Sequence, residues 1–144
     1  MTTDRYLLDA NVLLALALGN HQHHEDAHRA LRSMSAWSTT PVTESAFLRL
    51  MLNPAVGART ETGSVLSQLR SMRSDPRWSF LPDHLGLLDS GIDLAPLAGH
   101  RQVTDFHLVA IARAGGAILA TFDRALPLGL APSDRSLVEV LPVR

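Results

Sequence analysis

The chain has 144 residues, a formal net charge of −1, 46% apolar and 19% charged residues. That balance suits one globular domain with a core of its own. It argues against a strongly basic protein that coats nucleic acid, but not against an enzyme that touches RNA locally. With no cysteine, disulfides, thiolate metal sites and cysteine nucleophiles are excluded, and a reducing, cytoplasmic setting fits.

The start, Met-Thr-Thr-Asp-Arg, lacks the basic and apolar segments of a secretory signal. No apolar stretch reaches the length of a membrane span. Residues 5–8 read as a short strand, and 10–18 as a helix broken by Gly19-Asn20. Residues 23–33 read as a helix with Ala27, Ala30, Leu31 and Met34 on one side. Residues 37–39 suit a strand. Thr40-Pro41 then starts a helix, with a hydroxyl cap before a proline at the first helical position. That helix runs to about Leu52 and stops at Asn53-Pro54.

Residues 63–74 form an amphipathic helix, with Val65, Leu66, Leu69 and Met72 on one face. Residues 78–81 read as a strand. The stretch 82–99, punctuated by Gly and Pro, has no clear assignment. Residues 102–114 form a helix that ends at Gly115-Gly116, followed by strands at 117–121 and 137–141. Strands alternating with helices predict a parallel sheet with helices on both faces.

Four acids break the usual pattern. Asp9 has Val12, Leu13 and Leu16 at i+3, i+4 and i+7; Glu44 has Phe47, Leu48 and Met51; Asp105 has Leu108, Val109 and Ala112. Each therefore heads an apolar helical stripe that packs inward. Asp123 follows the apolar run Ile118-Leu119-Ala120-Thr121-Phe122. A buried carboxylate costs several kcal/mol unless it is paired, and the chain contains no lysine. Arg49 and Arg124 are the arginines nearest in sequence to two of the acids. A shared hard cation, Mg²⁺ or Mn²⁺, accounts for all four together. Open parallel sheets build sites beyond the carboxyl ends of their strands. Asp9 and Asp123 follow strands there, Glu44 lies one turn beyond Thr40-Pro41, and Thr104 as a cap would put Asp105 at a helix N-terminus. Asp4, Asp26, Asp75, Asp83, Asp89, Asp93 and Asp134 show no such pattern and read as surface or turn residues.

The segments Leu7-Leu8-Asp9-Ala10-Asn11-Val12-Leu13-Leu14, Thr40-Pro41-Val42-Thr43-Glu44, Thr104-Asp105-Phe106-His107-Leu108 and Leu119-Ala120-Thr121-Phe122-Asp123-Arg124 carry a resemblance. In this order, and over nearly the whole chain, the sequence resembles the PIN-domain family, and within it the toxins of VapBC toxin–antitoxin modules. The resemblance implies a three-layer α/β/α fold with a central, mostly parallel sheet. It also implies Mg²⁺- or Mn²⁺-dependent cleavage of RNA and a cognate antitoxin that blocks the site. Asp9, Glu44, Asp105 and Asp123 match the family's acidic quartet, and Asn11 and Thr121 its polar neighbours, which support the site by hydrogen bonding. Arg124, by its place beside Asp123, reads either as a phosphate contact or as a plain surface arginine, and Leu126, where many relatives carry an aromatic, as a packing residue. In such a site the ion activates a water and stabilises charge on the phosphate; which acid acts as base stays open.

Competing readings are specific. His24-Glu25-Asp26-Ala27-His28 matches the H-E-x-x-H of zinc metallopeptidases. A catalytic zinc needs a third protein ligand, none is marked downstream, and the polar run from His21 reads as a solvated helix start. His107 reads as structural. Trp37, Trp78, Phe47 and Phe80 read as core rather than as a stacking platform for RNA. A non-catalytic binding module with a PIN-like shell would have lost an acid, and none is lost. A homodimer fits as well.

Overall fold

A computed structural model describes residues 5–57 and 61–144; Asp4 lies outside them. Five strands, β1 (Arg5–Leu8), β2 (Ala36–Thr39), β3 (Trp78–Phe80), β4 (Ile118–Thr121) and β5 (Val138–Val140), form one sheet in the order β3-β2-β1-β4-β5. Every neighbouring pair is parallel. All carboxyl ends therefore share one edge, and the direction of winding reverses between β1 and β4. That reversal opens a crevice in which open α/β sheets place their ligands.

The helices are α1 (Ala10–Ala17), α2 (His24–Ser33), α3 (Pro41–Leu52), α4 (Pro54–Gly57), α5 (Thr62–Arg73) and α6 (Val103–Ala114). Alternation along β1 divides the core: Leu8 faces the cluster built by Val12, Leu13, Phe47, Met51 and Val65, and Leu7 faces Phe106, Val109, Leu119 and Leu126. One layer thus holds α1, α2, α3 and α5, and the other holds α6. The apolar stripes predicted behind Asp9, Glu44 and Asp105 do pack inward.

Helix ends match the sequence reading in position more than in chemistry. Thr40 stands at the N-cap of α3, but its hydroxyl donates to the Leu81 carbonyl at 2.8 Å, and Thr43 Oγ1 instead accepts the Thr40 N–H. Thr104 is not a cap: α6 begins at Val103 after a 3₁₀ turn at His100–Gln102, so Asp105 lies inside the first turn. At the other end Gly116 takes φ +64°, and the N–H groups of Gly116 and Ala117 return to the Arg113 and Ala112 carbonyls. This Schellman closure turns the chain straight into β4.

Residues 82–99 contain one 3₁₀ turn, Leu87–Asp89, and are otherwise irregular. Ile92 is buried in the α6 layer, Arg113 Nη1 donates to the Ser90 carbonyl, and Asp134 Oδ2 accepts the Asp93 N–H. Asp134 is consequently buried and not a surface acid. Asp26 is buried too: it accepts from Arg29 Nη1 at 2.9 Å and from the Arg144 N–H, and the Arg29 guanidinium holds its carboxyl below the usual range. Sequence spacing cannot show partners at the far end of the chain.

Arg77 clamps β3 in place. Its guanidinium grips both Asp75 oxygens, at 3.1 and 2.7 Å, and donates to the Leu31 and Met34 carbonyls at the end of α2. The bidentate grip holds the Asp75 carboxyl down at about 2. Arg77→Ala would orphan these acceptors together and is expected to destabilise the fold by about 2 kcal/mol, read as a lower urea midpoint with an unchanged slope.

Candidate active site

Asp9 leaves the end of β1 as the N-cap of α1. One carboxylate oxygen accepts the Ala10 N–H at 2.7 Å and the other accepts the Thr121 hydroxyl at 2.8 Å. The same Thr121 oxygen receives Asn11 Nδ2 and the Asp123 N–H, each at 3.1 Å. Asn11 Oδ1 closes the ring by accepting the Phe122 N–H at 3.3 Å. Asn11 and Thr121 therefore lock the exit of β1 to the exit of β4, at the reversal of the sheet.

Asp105 reaches the same crevice from α6. Burial raises its carboxyl to about 6, and the charges of Asp9 and then Asp123 push in the same direction. Burial also raises Asp9, against the two hydrogen bonds that favour its charged form, with a further push from Asp123. Asp123 is exposed; its Oδ1 accepts the Ala125 N–H and tightens the turn after β4. Asp9, Asp105 and Asp123 thus stand within one another's field. Among the described residues, no three acidic or histidine side chains already stand close enough to enclose an ion.

Glu44 lies on the same edge but has partners of its own. Thr39 Oγ1 donates to it at 2.6 Å, and Arg73 Nη1 reaches it from the end of α5 at 3.4 Å. The sequence neighbours Arg49 and Arg124 do not fill this role; Arg73 does, from 29 residues away. A cleft of about 180 Å³ opens beside Asp105 and Asp123, lined also by Arg101, Gln102 and Leu126. Arg101 was not singled out from the sequence, because it precedes the predicted helix start and reaches the cleft through the 3₁₀ turn at His100–Gln102. Arg124 is exposed beside Asp123, and Leu126 is buried.

The H-E-x-x-H motif does other work. A carbonyl can only accept, so His24 Nδ1 donates to the Ala15 carbonyl at 2.8 Å and His28 Nε2 to the Leu16 carbonyl at 3.1 Å. The two rings meet edge to face, 4.6 Å between centroids. Both histidines are half-buried fasteners of α2 onto the carbonyl end of α1, not parts of a solvated helix start and not a converging zinc pair. Glu25 faces solvent. His107 is tied to Asp83 at 2.9 Å.

The PIN domain family model matches residues 6–127. Ribonuclease VapC39 of Mycobacterium tuberculosis strain H37Rv is 40% identical over 139 residues, which are 94% of this chain and 98% of that relative. Ribonuclease VapC38 of the same strain is 35% identical over 144 residues, 95% and 98% of the two chains. Ribonuclease VapC29, also from that strain, is 36% identical over 121 residues, 83% and 86%.

The raised carboxyl of Asp105 makes the metal-free fold sensitive to pH. A folded state that binds its proton more tightly than the unfolded chain loses stability as pH rises from about 4, the unfolded value, to about 6. Above that range the loss is complete. Asp105→Asn is expected to flatten this slope and raise stability at pH 7 by on the order of 1 kcal/mol, after allowing for solvent screening. Thermal melting between pH 4 and 7.5 in the presence of EDTA tests it.

Proposed function

The chain belongs to the PIN-domain family, and from that premise we propose that it is a metal-dependent endoribonuclease, the toxin of a type II toxin–antitoxin module, neutralised by a cognate VapB-type antitoxin. One observation carries this reading: Asp9, Asp105 and Asp123 come from separate elements and share one electrostatic field at the sheet's reversal. The curated ribonucleases similar to it support the RNA substrate. The presence of all four acids supports catalysis over a non-catalytic shell.

The donor set fits a hard divalent cation. Carboxylates that resist ionising together are relieved by a double positive charge, and oxygen-only ligands suit Mg²⁺ or Mn²⁺. Asp9, Asp105 and Asp123 would hold the ion, with Glu44 as the fourth acid on the rim. When bound, such an ion lowers the pKa of a water and stabilises charge on the scissile phosphate.

The remaining steps belong to the protein. The Thr121 hydroxyl and the Ala10 N–H fix both Asp9 oxygens, so that carboxylate enters the reaction already oriented. Asp105, whose carboxyl burial raises to about 6 in the free chain, would give up its proton as the ion binds. Arg124 beside Asp123 and Arg101 in the adjoining cleft supply planar cations for the phosphates flanking the cut. Residues 1–144 make up a single PIN domain in this reading, which pairs with a second copy and acts in the cytoplasm on cellular RNA. Among the described residues no helix is long and apolar enough to cross a membrane.

Asp9→Asn is expected to abolish metal-dependent RNA cleavage while the circular dichroism spectrum persists; undiminished cleavage by the folded variant would refute the scheme. Thr121→Val, which exchanges the hydroxyl for a methyl of similar size, is expected to weaken Mn²⁺ binding about 10- to 100-fold in calorimetry. Glu25→Gln is expected to leave RNA cleavage unchanged, whereas zinc-dependent cleavage of a peptide by the unaltered protein, lost in this variant, would count for the peptidase motif.

A further inference from the structure

The four aromatic residues first read as core separate into two pairs. Trp37 and Phe47 are buried, but Trp78 is only half-buried and Phe80 is 41% exposed. Trp78 and Phe80 are alternate residues of edge strand β3, so their side chains share a face, with ring centroids 6.5 Å apart. Phe80 ends the strand in register with Thr39, at the same edge as the acids. The Arg73 guanidinium lies over both rings, 4.4 Å from the Trp78 centroid and 5.6 Å from that of Phe80.

This ledge is wired to the site. The Trp78 indole N–H donates to Thr39 Oγ1 at 2.9 Å, Thr39 Oγ1 donates to Glu44 Oε2, and Arg73 Nη1 donates to Glu44 Oε1. The loop closes on itself, since Arg73 returns to the face of Trp78. A group stacked here would sit at a set distance from Glu44, because each link is a hydrogen bond or a ring contact.

We propose that Arg73, Trp78 and Phe80 form a stacking ledge that seats one unpaired base of the RNA beside the acidic site and so positions the neighbouring phosphate for cleavage. The inference rests on the ribonuclease reading. Single-stranded RNA is the occupant that matches the chemistry. Its bases stack on aromatic rings and on guanidinium planes, and its phosphates take the N–H groups that Arg73 does not give to Glu44. An exposed aromatic under a cation, next to carboxylates that would repel bare phosphate, offers the strand an attractive foothold. Arg73, Trp78 and Phe80 are positioning residues here, and none touches the reacting atoms.

The test is the affinity of a fluorescein-labelled single-stranded oligoribonucleotide, read by anisotropy in EDTA so that nothing is cut. Phe80→Leu keeps apolar bulk but removes the stacking face; it and Phe80→Ala are each expected to weaken binding about tenfold, whereas Phe80→Tyr restores it. An abasic oligonucleotide of the same length is expected to bind the unaltered protein no better than the intact RNA binds Phe80→Leu. Arg73→Gln is expected to lower the slope of log affinity against log salt by about one. Wild-type affinity in Phe80→Leu would overturn the ledge while leaving the nuclease intact, and so would loss of a protein partner alone in that variant. Failure of the unaltered protein to bind RNA would overturn both readings.

Discussion

Three carboxylates that repel one another sit where two strands part, and most of the structure around them serves to hold that arrangement. Asp9, Asp105 and Asp123 reach the crevice from α1, α6 and the turn after β4. Burial raises the Asp9 and Asp105 carboxyls first, and neighbouring charge adds to it, from Asp123 on both and from Asp9 on Asp105. A fold tolerates such strain when the ligand that relieves it stabilises the native state alone. The parallel sheet makes the gathering possible, because all its strands deliver their following residues to one edge.

Rigidity comes from polar fasteners as much as from the core. Thr121 and Asn11 tie the ends of β1 and β4 together. His24 and His28 bind α2 to the last turn of α1, which shares its first turn with Asp9. Arg77 joins the turn before β3 to the end of α2. Each fastener satisfies backbone carbonyls or side chains that would otherwise be left open at an element's end, and each restrains an element of the layer behind the acidic edge. The H-E-x-x-H sequence is instructive here. Its histidines share a helix face as in a peptidase, but that face meets the carbonyl end of another helix instead of a metal.

Glu44 differs from its three companions. Arg73 and Thr39 satisfy it, and through them it belongs to the aromatic ledge on β3. The acidic rim thus has two parts: a mutually repelling trio at the reversal of the sheet, and a paired acid that joins the trio's edge to a cationic, aromatic surface. A nuclease that must hold both an ion and a polyanion has use for both, since the acids that attract the ion would otherwise repel the strand.

The strands and the helices other than the single turn α4 were legible from the sequence, because short apolar runs and helical stripes are local patterns enforced by burial. Asp9, Glu44 and Asp105 stood out for the same reason, as charged residues at the head of apolar stripes, and Asp123 as one that directly follows an apolar strand. The stretch 82–99 was opaque since its order comes from Arg113 and Asp134, which approach from other elements. Asp26 and Asp134 read as surface acids and Phe80 as core, all against the structure, because a residue's exposure depends on what folds over it. By itself the sequence determined the strand-and-helix order, the apolar faces and the unusual acids. Tertiary structure alone decided which acids repel, which one Arg73 neutralises, and which aromatics meet solvent, because those outcomes depend on through-space distances between segments far apart in the chain.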